Sequence, residues 1–439
     1  MSESSHFDTL REKAEQAPAT PSRRRKRVPV DPSIDPYEIP LAELNVANPE
    51  LFRAEAMWPY FDRLRDEAPV HFCSDSQYGP YWSITRYDDI MAIEKNHEVF
   101  SSDFSLGGVT LMGTPASGND MPMFIQMDPP KHDAQRKAVA PKFTQRNLGE
   151  LESTVRERVA SILDGLPLNE TFNWVEHVSV ELTAQMLATI LGVHQDDRHQ
   201  LITWSNIFSN ADNPDVVQDK ALFYEALAEC GEYMQALWRE RQRSQPTGDL
   251  VSMLAHGAQT KDMDARELLG NAVLLIVGGN DTTRNSISGG LLALNEFPEQ
   301  YEKLRADPSL IRTLVPEIIR WQTPLTHMRR TALADIEFRG QQIRKGDKVV
   351  MWYLSGNRDP DAIDRPDEFI IDRPRPREHL SFGFGVHRCL GNRLAELQLR
   401  VLWEEIMARY PNIEVVGEPQ RLSSVLFRAI QELPVRIAA

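Results

Sequence analysis

The chain has 439 residues, 41% of them hydrophobic, and a formal charge of -15 at pH 7; it can bury a large core, and its acidity excludes wholesale attraction to nucleic acid or anionic lipid. Only three cysteines occur, Cys73, Cys230 and Cys389, far apart and without CxxC spacing, which excludes a disulfide framework and a structural zinc site. No run approaches the roughly 18 apolar residues of a membrane span, and the N-terminus lacks the apolar stretch of a secretory signal, so a cytoplasmic protein that meets small molecules and other proteins is expected.

Residues 1–35 are dominated by Ser, Glu, Pro and Arg, sustain no apolar period, and are expected to form a disordered or loosely attached tail in which the arginine-rich run at 23–27 is solvated. Residues 36–439 read as a single continuous domain, without a low-complexity linker or a fixed repeat. Apolar residues at three-and-four spacing predict helices over 53–66, 131–164, 176–192, 219–243, 265–296, 310–321 and 391–409. Strand-like pieces are short, at 81–85, 336–338 and 348–352, with turn signals at Arg339-Gly340 and Lys345-Gly346-Asp347. The expected fold class is mainly α with a small β portion.

The densest chemical signal is Phe382-Gly-Phe-Gly-Val-His-Arg-Cys-Leu-Gly391, followed at once by a helical run from Asn392. It places Cys389 where a loop meets a helix N-terminus, whose free N–H groups and positive dipole end favour an anionic sulfur. Gly383, Gly385 and Gly391 remove side chains where a backbone must fold tightly against a flat cofactor, and Phe382 is placed to shield the sulfur. A lone cysteine beside a helix is otherwise an ordinary small apolar residue.

A second segment, Leu274-Leu-Ile-Val-Gly-Gly-Asn-Asp-Thr-Thr283, lies within the long helix predicted over 265–296, for which Asp264 and Glu267 form a capping pair. Gly278 and Gly279 each cost about 1 kcal/mol against alanine inside a helix, so something must compensate. Close approach of a flat cofactor is one compensation; a helix-packing contact is the other. Thr282 can bond back to the carbonyl of Gly278 and open the helix locally, and Asp281 can feed protons into that gap. Further on, Glu317 and Arg320 stand three apart on one helix face, a spacing that permits an ion pair.

Taken together, these strings resemble the cytochrome P-450 family, whose cysteine-loop signature Phe-x-x-Gly-x-(Arg or His)-x-Cys-x-Gly is matched at every fixed position by residues 382–391. The similarity runs from about 58 to 433. It implies the cytochrome P-450 fold, with haem b (iron protoporphyrin IX) between the long oxygen-activating helix and the cysteine-loop helix. The resemblance makes Cys389 the sulfur ligand of the iron and sets Phe382, Gly391 and Gly278 against the cofactor. It assigns dioxygen handling to Thr282 and proton delivery to Asp281, and it makes Glu317, Arg320 and Arg373 a buried structural triad. His132, Arg136, Arg330 and His387 match the positions that bind the haem propionates, carboxylates that need cationic or donor partners when buried.

Within the family, Met123-Phe-Ile-Gln-Met-Asp-Pro-Pro130, Arg320-Trp-Gln-Thr-Pro-Leu-Thr-His-Met-Arg-Arg330 and His379-Leu-Ser-Phe-Gly-Phe-Gly385 resemble the bacterial alkane terminal-hydroxylase and fatty-acid omega-hydroxylase subgroup. Leu390 departs from that subgroup's pattern and leaves the substrate's chain length open. The resemblance implies a monooxygenase that hydroxylates the terminal methyl of medium-chain n-alkanes or fatty acids with O2 and two electrons. Because a methyl C–H bond is stronger than a methylene one, terminal attack requires positioning in a narrow apolar channel. Leu274, Val277, Gly278, Leu325 and Leu426 either line that channel or belong to the core. No flavin or iron–sulfur signature is present, so electrons are expected from a ferredoxin and its reductase. Lys131, Lys137, Lys142, Arg388 and Arg393 either steer that partner or are ordinary surface charge. Rival readings are a steroid or branched-lipid hydroxylase, a peroxide-driven peroxygenase and a non-catalytic haem-thiolate sensor.

Overall fold

The structure, a computed structural model, describes residues 4–17, 34–113, 121–211, 213 and 216–438; the arginine-rich run at 23–27 lies outside them. In chain order the helices are α1 (Ser4–Gln16), α2 (Pro49–Arg53), α3 (Trp58–Glu67), α4 (Tyr87–Lys95), α5 (Lys131–Val139), α6 (Gln145–Asp164), α7 (Glu181–Leu191) and α8 (Arg198–Ser209). They continue with α9 (Lys220–Arg243), α10 (Leu250–His256), α11 (Ala265–Glu296), α12 (Pro298–Ala306), α13 (Ile311–Gln322), α14 (Tyr353–Gly356) and α15 (Asn392–Arg409). The strands are β1 (Val70–Cys73), β2 (Tyr81–Ile84), β3 (Phe100–Ser101), β4 (Thr171–Asn173), β5 (His327–Ala332), β6 (Ile336–Phe338), β7 (Gln341–Ile343), β8 (Lys348–Trp352), β9 (Ile413–Val415), β10 (Gln420–Arg421), β11 (Ile430–Glu432) and β12 (Pro434–Ile437).

Local chemistry sets several of these boundaries. Asp264 accepts from the backbone N–H groups of Arg266 and Glu267, both at 2.9 Å, and so starts α11. The helix expected over 53–66 starts only at Trp58, as α3, with the short α2 ending at Arg53. Glu55 breaks it at a left-handed φ of 54°, where its carboxylate is held by Arg428 at 2.8 Å and by Arg421 at 3.3 Å. The run expected over 131–164 is interrupted at Pro141, where a 3-10 turn (Ala140–Phe143) separates α5 from α6.

The tail expectation also needs correction. Residues Ser4–Gln16 form a helix, and Phe7, Leu10 and Ala14 are buried along one face of it. Phe7 fills the space that a side chain at Gly231 of α9 would occupy, and Arg11 pairs with Glu232 at 2.7 Å. A short apolar stripe becomes a stable helix once a complementary face on α9 buries it.

Two compact units make up the chain, with divisions inside α6 and α11: one from residues 1–27, 115–151 and 180–281, the other from 28–114, 152–179 and 282–439. The regular structure of the first is helical among its described residues. The second holds all the strands named above, including a five-stranded sheet in the order β1-β2-β8-β5-β3, where β5 pairs antiparallel with β8 and sets Arg330 opposite Val349. Its core centres on Trp352, whose ring lies 5.3 Å from Phe61, 6.1 Å from Phe52 and 4.9 Å from His327. Among the described residues no helix is long and apolar enough to cross a membrane.

Candidate functional site

The cysteine loop belongs to the second unit. Gly383 and Gly385 both adopt left-handed φ values, 64° and 66°, which bend the chain into a 3-10 turn, Gly385–His387. A side chain at Gly385 would collide with the carbonyl of Glu94 on α4. The Cys389 N–H donates to the Phe382 carbonyl at 2.8 Å, closing the loop. α15 begins three residues after the cysteine, and Gly391 before it supplies no side-chain cap. The Cys389 thiol is exposed, while Cys73 and Cys230 are buried and burial pushes both of their thiols up. The Phe382 ring lies 5.4 Å from His379.

Beneath this loop lies a buried polar cluster. Arg330, on β5, donates to a Glu94 carboxylate oxygen at 2.5 Å and to the Arg329 carbonyl at 2.8 Å. The other Glu94 oxygen accepts from the Tyr353 hydroxyl, whose pKa is raised well above the usual phenol range by burial and then by the Glu94 charge. Elsewhere in the unit Glu317 accepts from Arg320 at 2.8 and 2.9 Å, from Arg373 at 3.0 Å and from the Ile370 N–H at 2.9 Å. All three side chains are buried, and the remaining Arg320 donors go to the carbonyls of Asn357, Pro366 and Glu368. Leu325 and Leu426 are half-buried on bridged segments, with Leu325 opposite Phe427 and the Thr326 N–H donating to the Leu426 carbonyl at 3.1 Å.

In the first unit α11 is buried on most faces but opens at Leu274, Leu275, Val277, Gly278 and Gly279; past the division between the units, Thr282 is half-buried four residues beyond Gly278. The two glycines differ. A methyl at Gly279 would meet Leu187 of α7 at 2.9 Å, whereas one at Gly278 would meet nothing within 4 Å. Asp281 is buried and accepts from the Ser205 hydroxyl of α8 at 2.9 Å, and Asn280 accepts from Thr183 at 2.8 Å. On α5, His132 is buried against Asp133 at 2.8 Å; burial lowers its pKa despite that neighbour, and Arg136 is half-buried one turn on. Of the five basic residues singled out from the sequence, Lys131 pairs with Glu267 at 3.0 Å and Lys142 donates to the Gly248 carbonyl.

Glu94, Tyr353 and Ser205 carry no sequence motif. For Glu94 and Ser205 the signal is a polar residue in an apolar helical stripe: Glu94 follows Ile90 and Ile93 at spacings of four and one, and Ser205 follows Leu201 and Trp204 in the same way.

The residues present fit a haem. In the second unit an exposed thiol precedes an uncapped helix start, in a loop where Gly385 has no room for a side chain; in the first unit an otherwise buried helix opens at Leu274 and Val277, beside a glycine with free space. Residues 51–424 match the Cytochrome P450 family as a whole. The chain is 35% identical over 402 residues to a linalool 8-monooxygenase of Pseudomonas putida, covering 89% of this chain and 98% of that protein. It is 32% identical over 415 residues to a methyl-branched lipid omega-hydroxylase of Mycobacterium tuberculosis, covering 91% and 96%. Among solved structures, a cytochrome P450-153 from Novosphingobium aromaticivorans superposes with a TM-score of 0.85 at 42% identity, covering 90% of this chain and 99% of that one.

The chain therefore belongs to the cytochrome P450 family. It is a haem-binding monooxygenase that takes a small-molecule substrate, O2 and electrons from a redox partner, and it stands near the family's bacterial terminal-hydroxylase subgroup.

Proposed function

We propose that this P450 hydroxylates the terminal methyl of medium-chain linear substrates, n-alkanes or fatty acids, with Cys389 as the sulfur ligand of the iron and a ferredoxin and its reductase as electron source. The haem, when bound, supplies dioxygen activation and insertion of one oxygen atom into a C–H bond, helped by electron donation from a thiolate. The chain's own residues do the rest. The open first turn of α15 stabilises the anionic sulfur of Cys389, and Phe382 and Gly391 shape its surroundings. Arg330, His387, His132 and Arg136 offer donors to the two propionates.

Asp281, oriented by Ser205, holds a proton source one residue from the Thr282 hydroxyl. Gly278 keeps space open where dioxygen must fit. Leu274 and Val277 in the first unit, and Leu325 and Leu426 in the second, are apolar and half-buried, and the family resemblance assigns them to orienting a chain and excluding water. Glu317, Arg320 and Arg373 hold the framework rather than the chemistry.

The observation that carries this reading is the open stripe of α11, apolar at Leu274 and Val277 and followed by the half-buried Thr282, with Asp281 buried next to it in the chain. An omega-hydroxylase among the relatives supports terminal attack, and the linalool and methyl-branched lipid relatives favour a branched substrate as the second reading. The two separate in one experiment: titrate dodecane, lauric acid, linalool and a sterol into the oxidised protein, follow the low-spin to high-spin change, and identify the oxidation position. Tight binding of the linear compounds with terminal products supports the proposal; a response confined to linalool or the sterol, or mainly internal alcohols, overturns it.

A further inference from the structure

We infer that Glu94 is a built-in counter-ion that competes with a haem carboxylate for Arg330, so that the chain weakens its own hold on the cofactor at this point. The inference rests on the reading of Arg330 as a propionate partner. Arg330 and Glu94 are both buried, and a buried guanidinium without an anion is strongly destabilising, so the cation needs compensation before any haem arrives. Glu94 provides it at 2.5 Å, while a second Arg330 nitrogen is fixed on the Arg329 carbonyl at 2.8 Å. A propionate reaching the same guanidinium then meets a cation that one carboxylate already neutralises. Two acids share one positive charge in a poorly screened interior, and each binds less tightly than it would alone.

Tyr353 moderates the competition. Its hydroxyl donates to the other Glu94 oxygen and draws off part of the negative charge that would otherwise hold Arg330. The cluster also touches the cysteine loop, because a methyl at Gly383 would lie 3.3 Å from the Tyr353 hydroxyl and 3.4 Å from Glu94. A purely architectural Glu94 would support that loop, and its loss would loosen the haem. A competing Glu94 predicts the opposite sign.

The test is haem transfer from the holoenzyme to excess apomyoglobin. Arg330→Met is expected to release haem faster, by about tenfold, as one charge-assisted partner is lost. Glu94→Gln keeps the shape and removes the charge, and is expected to slow release roughly three- to tenfold. In the Arg330→Met background the Glu94→Gln change is expected to have no further effect. Tyr353→Phe, a milder variant should Glu94→Gln fold poorly, is expected to speed release. Unchanged or faster release from Glu94→Gln, or slower release from Tyr353→Phe, overturns the counter-ion role while leaving Arg330 in place. Unchanged release from Arg330→Met overturns the assignment of Arg330 itself, and the inference with it.

Discussion

Gly278 and Gly279 are adjacent in one helix, and the same substitution is predicted to stabilise at the first and to gain little or nothing at the second. In a helix interior alanine is favoured over glycine by about 1 kcal/mol, through lost backbone entropy in the unfolded chain. At Gly278 the new methyl meets nothing within 4 Å, so haem-free protein carrying Gly278→Ala should gain about 0.5–1 kcal/mol. At Gly279 the methyl comes within 2.9 Å of the Leu187 terminal methyl, so that side-chain end must shift, at a cost of about 1 kcal/mol that offsets the helix gain. The two variants should therefore differ by about 1 kcal/mol in urea unfolding of haem-free protein followed by circular dichroism. In the loaded enzyme the ranking should invert for function: the Gly278 methyl enters space proposed for cofactor and dioxygen, so Gly278→Ala should lose product formed per NADH consumed. Equal destabilisation of haem-free protein by both substitutions would refute the reasoning.

Stability should fall as pH drops below neutrality. Burial pushes His327 down to about 4, and burial together with Arg320 pushes His379 down to about 3. The geometry agrees, because the His327 Nε2 accepts from the Leu111 N–H and the His379 Nδ1 accepts from the Ser381 N–H, bonds that need unprotonated rings. Below about pH 6.5 the unfolded chain takes up protons that the folded one refuses, so the protein should be about 2–3 kcal/mol less stable at pH 5.5 than at pH 7. Replacing His379 by Gln should remove about half of that slope in urea titrations; an unchanged slope would contradict it. Ser205→Ala should cost about 1.5–3 kcal/mol by withdrawing a donor from a buried carboxylate, and should lower product per NADH while leaving the substrate-induced spin change intact. Ser205→Thr should restore coupling, and full coupling in Ser205→Ala would remove the orienting role of that hydroxyl.

The cysteine loop and α11 were legible in the sequence because their chemistry lies in consecutive residues. The span expected over 265–296 coincides with α11, and the one over 391–409 begins one residue before α15. Elements fixed by distant partners were not legible. β5 runs His-Met-Arg-Arg-Thr-Ala with both arginines buried, so neither alternation nor an apolar run announces it. α1 carries its apolar residues over only a few turns, and the notch at Gly231 that receives Phe7 lies more than two hundred residues away. α4, α10 and α12 are short and escaped a periodicity reading that favours long segments. In the candidate site the acid and the hydroxyl at 281 and 282 were readable, but Ser205 and Glu94 show their meaning only when folding brings α8 beside α11, and α4 beneath the cysteine loop.

The central claim is sulfur ligation by Cys389, and the reduced carbon monoxide adduct tests it most directly, in the parent protein and in Cys389→Ser with folding checked by circular dichroism. The parent should give a thiolate-type Soret band, and the folded variant should lose it. Retention of that band in the variant, or a histidine-type band in the parent, would contradict the account.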